Sequence, residues 1–292
     1  TRLLLKSGAT INEMNTVRKH ISRVKGGFLA SLLYPATVMG FVISDVVGND
    51  LSTIASGPLT PDKSTFKDAL KIFKKYQIGP PKNVLNYLEN GMENPRLETP
   101  KPGEKYFEKV SVKIIADHKT ALNQAVEKAK KLGLKVVAMK KEITGEAREE
   151  ARKFIAKAKR GTLLIGCGET TVTCTGTGCG GRNQEFVLAG LQHLKEGQIL
   201  LSIGTDGVDG FCPEEVAGAI GDESTLETAS QKGLKLESHL KNNDSYNFFK
   251  RAGGLIKTGA TGTNLGDLMM LLSGPRKPCG GLSRFIIKTR RN

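Results

Sequence analysis

The sequence lacks the features that mark membrane-spanning and secreted proteins. Its 292 residues include no tryptophan, aromatic residues make up only 5%, and no apolar run approaches the ~20 residues that span a bilayer. No signal peptide is expected at its start. An apolar content of 38% is still enough for α/β cores built from valine, isoleucine, leucine and alanine. We therefore expect a globular, cytoplasmic protein that has no membrane partner.

Cysteine is also scarce. The five cysteines are odd in number and form no C-x-x-C pair, so neither a disulfide framework nor a zinc knuckle is predicted. All five are interpreted as free thiols: Cys167, Cys174, Cys179, Cys212 and Cys279.

Acidic residues are too few to balance the basic ones, and the formal net charge is +15. The lysines are spread along predicted helix faces, such as residues 128–131, and aromatic residues do not interleave with them. This pattern favours a solvated surface that attracts anionic metabolites over a nucleic-acid interface. We expect no nucleic-acid partner, and a homo-oligomer is left open.

Strand and helix patterns divide the chain into two α/β domains. Residues 106–273 alternate short apolar strands with helices of about 12–14 residues, which is typical of βαβ units and a mostly parallel sheet. Residues 1–105 are predicted to be the C-terminal part of a first α/β domain, closed by a loop-rich stretch with many prolines and glycines. Residues 274–292 show little periodicity and are left unassigned.

Individual elements follow from periodicity and capping. The apolar run Thr37–Ser44 predicts a buried parallel strand. Thr65 and Asp68 fit the capping box of a helix that reaches Tyr76. Alternating threonine and valine residues near Thr171–Thr177 predict a β-hairpin.

A glycine-rich run between two apolar stretches gives the strongest chemical signal. In Gly178-Cys179-Gly180-Gly181-Arg182, three glycines in four positions would let bare N–H groups approach an anion. Arg182 adds a planar, permanently charged fork that suits phosphate or carboxylate. The run is therefore interpreted as an anion-binding turn.

Two further loops of similar character follow short strand patterns. One contains Asp206 and Asp209, and the other contains Thr261, Thr263 and Asn264. Because the carboxyl ends of parallel strands share one edge of a sheet, where ligands bind, we expect the three loops to converge. For any single loop, an ordinary glycine turn closing a βα unit is an equally good interpretation.

Several of these motifs resemble those of class II glycerate kinases of the MOFRL type. The resemblance runs from Thr1 to about Leu272 and rests on motifs in the same order, which are residues 7–20, 24–27, 44–48, 54–58, 168–172, 180–185, 205–207, 243–245 and 261–264. It implies two Rossmann-like three-layer domains with mostly parallel sheets and a cleft between them. It also implies that an upstream part of the first domain, with a lysine and glycine-rich loops, is missing from this chain.

The resemblance further implies an ATP-dependent kinase that phosphorylates D-glycerate to 2-phosphoglycerate with magnesium. Such a reaction needs cations on the phosphoryl oxygens and a carboxylate near the reacting hydroxyl. Arg182 is assigned to the substrate carboxylate or the transferring phosphoryl group. Asp206 and Asp45 are the candidate catalytic carboxylates, and Asp206 with Asp209 is the candidate Mg²⁺ pair. Alternatively, each aspartate forms only a local Asx-turn.

The remaining candidates are assigned to substrate and nucleotide binding. Lys25 lies beside a glycine pair, where it can contact an anion. The others are assigned to phosphate, ribose or substrate oxygens: Glu169, Thr170, Gly180, Gly181, Asn183, Asp209, Asn243, Asp244, Thr261, Thr263 and Asn264. The groups at residues 169–171, 243–245 and 261–264 could equally be helix N-caps.

Two other functions remain open at this stage. A hydroxypyruvate reductase that uses NAD(P)H is one alternative, although no G-x-G-x-x-G followed by an acidic residue ~20 positions later comes after a strand. A non-catalytic module that binds anions or nucleic acid is the other, suggested by the charge of +15.

Overall fold

The computed structural model describes residues 1–274 and divides the chain into two units, Thr1–Ile115 and Ala116 onward. The unassigned tail beyond residue 274, with Cys279, lies outside the described residues. The boundary falls later than the predicted one at residue 105 because the strand beginning at Val110 pairs within the first unit. None of the helices in residues 1–274 combines the length and apolar character needed to cross a membrane.

The first unit packs helices around a small apolar core. Its elements are α1 (Arg2–Lys6), α2 (Ile11–His20), α3 (Phe28–Leu33), β1 (Val38–Ile43), α4 (Phe66–Lys75), α5 (Lys82–Glu93) and β2 (Val110–Ala116). Leu4, Val17, Phe66, Phe73 and Leu88 are buried together in this core. Each fully buried side chain of this size contributes about 1.5–3 kcal/mol through loss of apolar surface to water.

Capping and burial test two predictions in the first unit. The predicted capping box of α4 is confirmed, since Thr65 Oγ1 accepts the Asp68 N–H and Asp68 accepts the Thr65 N–H. The predicted burial of β1 is wrong. β1 pairs only with β2 among the described residues, and Met39 and Phe41 on one face are 67% and 61% exposed.

The second unit is a sheet covered by helices on both faces. Its elements are α6 (His118–Lys131), β3 (Val136–Ala138), β4 (Ile143–Glu146), α7 (Ala147–Ala156), β5 (Thr162–Thr171), α8 (Arg182–Leu191), β6 (Gln198–Gly204), β7 (Gly218–Gly221), α9 (Glu223–Gln231), α10 (Leu236–Lys241), α11 (Ser245–Ala252), β8 (Leu255–Ile256) and β9 (Asp267–Ser273). Successive residues of β5 serve different faces, because Leu164 packs in the cluster under α7 and α8 while Leu163 and Ile165 pack under α6. The predicted three-layer α/β architecture is confirmed for this unit.

The strand order is β3-β5-β9-β6-β7-β8, and β4 pairs with the end of β5. Five of the seven strands in this sheet run in the same direction, so the predicted mostly parallel sheet is correct in the direction of its strands. However, β9 and β7 run the opposite way inside the sheet, and four of the six pairings are therefore antiparallel. The predicted hairpin near Thr171–Thr177 is wrong, since residues 172–177 form a loop.

Candidate functional site

Three loops meet at one end of the seven-stranded sheet. Loop 172–181 follows β5, loop 205–217 follows β6, and loop 257–266 precedes β9. Gly180 and Phe211 exchange two backbone hydrogen bonds at 3.2 and 3.1 Å, and the Thr261 N–H donates to the Asp206 carbonyl at 3.2 Å. The predicted convergence of the glycine-rich loops is therefore confirmed.

The glycine-rich run is held by protein acceptors. Each backbone N–H from residue 175 to residue 180 donates to one. These acceptors are Asn243 Oδ1 for residues 175 and 176, the Asn242 side chain and carbonyl for 177 and 178, Asp244 Oδ1 for 179, and the Phe211 carbonyl for 180. The interpretation of this run as a turn of bare N–H groups is therefore wrong. Its glycines let the chain pack closely, since a Cβ at Gly176 or Gly178 would overlap Asn242.

Asn243 and Asp244, both predicted to bind substrate or nucleotide, hold this run in place. The buried Asn243 also donates from Nδ2 to Glu185 Oε1 at 3.2 Å. The second carboxylate oxygen of Asp244 lies 3.1 Å from His239 Nδ1. Both side chains thus fix the loop that leads into α8.

Asp209 caps α8 from a distant loop. Its Oδ1 accepts the Asn183 N–H at 3.0 Å, and its Oδ2 accepts the Gln184 N–H at 2.9 Å. The side-chain amides of the same two residues donate to it as well. Burial raises the pKa of Asp209 above its usual value, against the effect of these N–H donors. The helix N-terminus, an attractive position for an anion, is occupied by the protein's own carboxylate.

The predicted Mg²⁺ pair does not fit this arrangement. Both oxygens of Asp209 accept hydrogen bonds from α8, and the residue is only 3% exposed. Asp206 Oδ1 accepts the Val208 N–H at 3.0 Å, which is the Asx-turn named as the alternative. Nowhere in residues 1–274 do three histidine, cysteine, aspartate or glutamate side chains cluster so that they could hold a metal ion.

Arg182, the first residue of α8, is fixed at the loop edge by two carboxylates. Its Nε and Nη2 donate to the two oxygens of Asp267 at 2.6 and 3.0 Å, and its Nη1 donates to Glu169 Oε1 at 2.7 Å. Burial acts to lower the pKa of Arg182, but the bonds and charges of Asp267 and Glu169 outweigh it and raise the pKa further above its usual value. The side chain remains 32% exposed.

Gly181 and Asn183, on either side of Arg182, both contact the interior of the protein. Asn183 is 1% exposed and donates from Nδ2 to Asp267 Oδ1 at 3.0 Å, while Ser202 Oγ donates to Asn183 Oδ1 at 2.5 Å. A Cβ at Gly181 would overlap Asp209. Gly180, Gly181 and Asn183 are predicted to contact a ligand. In the structure, all three lie where the loops pack tightly against one another.

The third loop keeps most of its predicted residues near the surface. Thr261 and Thr263 are exposed, and Thr261 Oγ1 donates to the Thr205 carbonyl at 2.6 Å. Asn264 Oδ1 accepts the Gly266 N–H at 3.0 Å.

Thr170 is buried, and its hydroxyl has no hydrogen-bond partner in the part of the chain that the structure describes. Glu169 stays 39% exposed beside Arg182.

Two of the predicted residues lie in the first unit. Lys25 Nζ donates to the Ala55 carbonyl at 2.8 Å, and partial burial together with the charge of Arg18 lowers the pKa of Lys25 below its usual value. Asp45 is half-buried just after β1. Both belong to Thr1–Ile115, whereas Arg182 and Asp206 belong to the unit that begins at Ala116.

The sequence interpretation missed the residue that holds Arg182. Asp267 is fully buried at the start of β9, in register with Gly168 of β5 and Gly204 of β6. The unbroken apolar run Leu268–Leu272 would have predicted this central strand and placed a carboxylate at its loop end. A partly buried ion pair between Arg148 and the buried Glu185 was also missed, and it supports α8 from the side of α7.

Family models match both parts of the chain. Residues 1–89 match a domain of unknown function, DUF4147, and residues 162–267 match the MOFRL family. The second match spans the strands and loops that surround Arg182.

Similar proteins of known name cover nearly the whole chain. A D-glycerate 2-kinase of Thermotoga maritima is 43% identical over 92% of this chain and 64% of its own length. A glycerate kinase of Macaca fascicularis is 33% identical, covering 94% of this chain and 82% of the relative. A relative from Agrobacterium vitis, 39% identical over 93% of this chain and 63% of its own length, is named only provisionally, as a hydroxypyruvate reductase.

A solved structure agrees with these relatives. The crystal structure of a glycerate kinase from Thermotoga maritima superposes with a TM-score of 0.78 at 42% identity, covering 93% of this chain and 66% of that one. The chain thus spans about two thirds of the length of that protein.

Proposed function

This chain belongs to the glycerate kinase family, and from that premise we propose that the protein transfers the γ-phosphoryl group of ATP to D-glycerate, giving 2-phosphoglycerate and ADP. The hydroxyl oxygen of glycerate attacks the γ-phosphorus, the bond to the ADP oxygen breaks, and the hydroxyl proton passes to a carboxylate. We assign that carboxylate to Asp206, with Asp45 as the second candidate.

The observation that carries the proposal is the fixed, partly exposed guanidinium of Arg182. Three of its five N–H groups are used by Asp267 and Glu169. The other two make no hydrogen bond to residues 1–274, and the side chain is 32% exposed. A guanidinium that is already oriented can stabilise charge developing on a phosphoryl group without reorganising during the reaction. The same donors would suit the glycerate carboxylate.

The capped end of α8 limits where phosphates can bind. Because Asp209 accepts the N–H groups of Asn183 and Gln184, the helix N-terminus cannot hold the phosphates of ATP. We therefore propose that nucleotide and substrate oxygens lie on the outer side of the loops, near Glu169, Thr261, Thr263 and Asn264. Within the first unit, taken by itself, Lys25 is proposed to contact an anion.

The described residues do not form a magnesium site of their own. No group of three or more histidine, cysteine, aspartate or glutamate side chains in residues 1–274 could hold a metal ion, and the predicted Asp206–Asp209 pair accepts backbone N–H groups. Magnesium characteristically binds through phosphate oxygens with only one or two protein carboxylates. We propose that this protein follows that pattern and takes up Mg²⁺ together with ATP.

The capped helix also argues against the reductase alternative. A dinucleotide-binding fold places the pyrophosphate at the N-terminus of the helix that follows a glycine-rich turn. Here the run after β5 has its N–H groups of residues 175–180 bonded within the protein, and Asp209 occupies the end of α8. The geometry therefore supports the kinase better.

The proposal is tested by substrate-dependent ADP formation. With ATP, Mg²⁺ and D-glycerate, a coupled assay on the full-length protein should show ADP release that depends on glycerate. In a parallel assay, hydroxypyruvate and NADH or NADPH should give no loss of absorbance at the nicotinamide band. Nicotinamide oxidation without glycerate-dependent ADP release would reverse the assignment.

A further inference from the structure

Two cysteines lie opposite each other where loop 172–181 meets loop 205–217. Gly180 and Phe211 exchange both of their backbone hydrogen bonds, as a hydrogen-bonded pair of antiparallel chains does. In such a pairing, the next two residues on one side form a non-hydrogen-bonded pair, and here these residues are Cys179 and Cys212. Residues that are directly opposite in this way place their side chains on the same face of the contact.

The backbone around both cysteines supports this register. The Cys179 N–H donates to Asp244 Oδ1 at 3.0 Å, and the Cys179 carbonyl accepts the Tyr246 N–H at 2.9 Å. Both backbone groups are thus used on the side of residues 244–246, as expected where a residue makes no ladder bond to the residue opposite. Cys212 precedes Pro213, and a following proline favours the extended conformation that continues the pairing.

The two loops also approach closely on the other side of this contact. A Cβ built on Gly210 would overlap the Gly180 carbonyl and the Gly181 Cα, so the two backbones touch there. Opposite residues in a non-hydrogen-bonded pair have Cα atoms about 4.5 Å apart, which is within the roughly 4.4–6.8 Å that a disulfide spans. The spacing of the loops therefore suits a covalent bond between Cys179 and Cys212.

Both cysteines are free thiols and are half-buried. The Cys212 thiol donates to the Asp209 carbonyl, with Sγ 3.4 Å from the oxygen, and accepts Gln184 Nε2 at 3.3 Å. Burial raises the pKa of the Cys212 thiol, and Asp209 and the nearby Cys179 raise it further, against the hydrogen bond from Gln184. Because the thiolate is the nucleophile, this rise suits Cys212 to the second step of an exchange and leaves the first attack to Cys179.

We propose that Cys179 and Cys212 form a reversible disulfide, with a low-molecular-weight disulfide such as glutathione disulfide as the oxidant. The Cys179 thiolate attacks one sulfur of the oxidant, the S–S bond of the oxidant breaks, and one glutathione leaves as its thiolate. The Cys212 thiolate then attacks the Cys179 sulfur of the mixed disulfide and releases the second glutathione. The protein gives up two electrons and two protons, and the oxidant takes them up as two thiols.

The bond would join the two segments that fix the start of α8. Cys179 lies three residues before Arg182, and Cys212 lies three residues after Asp209, the residue that caps the helix. Oxidation would therefore lock the cap and the glycine-rich run together. The inference concerns this modification alone and does not require that the protein be a kinase.

Oxidation of the reduced, full-length protein by glutathione disulfide at pH 8 tests the pairing. Remaining thiols are blocked under denaturing conditions, and peptides are mapped by mass spectrometry without reduction. We expect one peptide pair joined through Cys179 and Cys212, a protein mass about 2 Da below that of the reduced form, and reversal by dithiothreitol. A folded protein in which these two thiols stay unjoined, or in which either joins another cysteine, overturns the proposal.

Two serine variants separate this pair from general thiol reactivity. Cys212→Ser lacks the second thiol, so oxidation should stop at the mixed disulfide and leave one glutathione on Cys179. Cys174→Ser is the matched control, because Cys174 is exposed in the same loop, five residues before Cys179. The control should form the bond as readily as the wild type. Loss of the cross-link in Cys174→Ser would assign the bond to Cys174 and contradict the proposal.

Thermal melting tests whether the folded loops already have the spacing that the bond needs. A disulfide restricts the unfolded chain, so the oxidised wild type should melt about 5 °C above the reduced form. Cys212→Ser treated with the same oxidant should show no such rise. An oxidised wild type that melts no higher than the reduced form would show that the bond strains the loops, against the register on which the proposal rests.

Discussion

Asp267 holds Arg182 through both of its carboxylate oxygens, which accept Nε at 2.6 Å and Nη2 at 3.0 Å. The aspartate is fully buried at the start of β9, while the arginine opens α8 and is 32% exposed. A central strand and a helix are thereby joined at the edge where three loops meet. The orientation of the guanidinium is set by the fold and does not depend on a ligand.

We expect Asp267→Asn to destabilise the protein while keeping its shape. The change removes the charge that compensates Arg182 and sets an amide against the N–H donors of Arg182 and Asn183. Breaking a buried ion pair costs about 3–5 kcal/mol, and partial exposure of Arg182 reduces the expected loss to about 2–3 kcal/mol. Urea unfolding measures it. Glu149→Gln, at an exposed ion pair with Arg152, should cost less than about 0.5 kcal/mol. Equal effects of the two changes would show that Asp267 is not structural.

The loops also predict which glycines tolerate a side chain. In Gly181→Ala the new Cβ would overlap Asp209, and relieving the overlap would displace the cap of α8. We expect a loss of about 3 kcal/mol in unfolding free energy, measured by denaturant titration. Gly79→Ala is the control, because no heavy atom lies within 4 Å of a Cβ built there. A Gly181→Ala protein as stable as the control would contradict the close approach.

Acid should weaken the link between α2 and α4. Glu13 accepts a hydrogen bond from Lys75 Nζ, and this bond, with those from Thr10 and Tyr76, lowers the pKa of Glu13 from 4.5 to about 2. A depressed carboxyl pKa contributes stability that is present above the unfolded value and is lost as pH falls through the folded one. Stability measured between pH 5 and pH 2 should therefore fall less steeply in Glu13→Gln than in the wild type. Parallel pH profiles would refute this role.

Cysteine reactivity should follow burial. Cys167 is 3% exposed in β5, and burial raises the pKa of its thiol to about 11, whereas Cys174 is exposed. Because the thiolate is the reactive form, iodoacetamide at pH 8 should label Cys174 long before Cys167. Peptide mapping by mass spectrometry assigns each label, and unfolding in urea should abolish the difference. Early labelling of Cys167 in the native protein would contradict its position.

Local signals predicted only some of the helices. The Thr65–Asp68 capping box and the alternation of strands and helices after residue 110 are written in neighbouring residues, and both are present in the structure. The convergence of three loops also followed, because strands that run in one direction end at one edge.

Long-range contacts could not be found in this way. Asp209 caps a helix whose first residues lie about 26 positions earlier, and Asp267 pairs with an arginine 85 positions away. No local pattern distinguishes such aspartates from metal ligands, so the sequence alone predicts a magnesium ligand at Asp209. The interpretation of the glycine-rich run as a turn of bare N–H groups was wrong for a similar reason, because glycine permits close packing as readily as anion binding. Which of the two it serves depends on the turn at residues 242–244.

The most direct test of the account compares glycerate-dependent ADP formation in the wild type and in Arg182→Lys. Lysine keeps the charge but loses the fork that bonds Asp267 and an oxyanion together, so kcat/KM should fall by about 10²-fold or more while the protein stays folded. Arg152→Lys, at an exposed pair on α7, should leave kcat/KM unchanged. A wild type without glycerate-dependent turnover, or a folded Arg182→Lys protein with full turnover, would contradict the account.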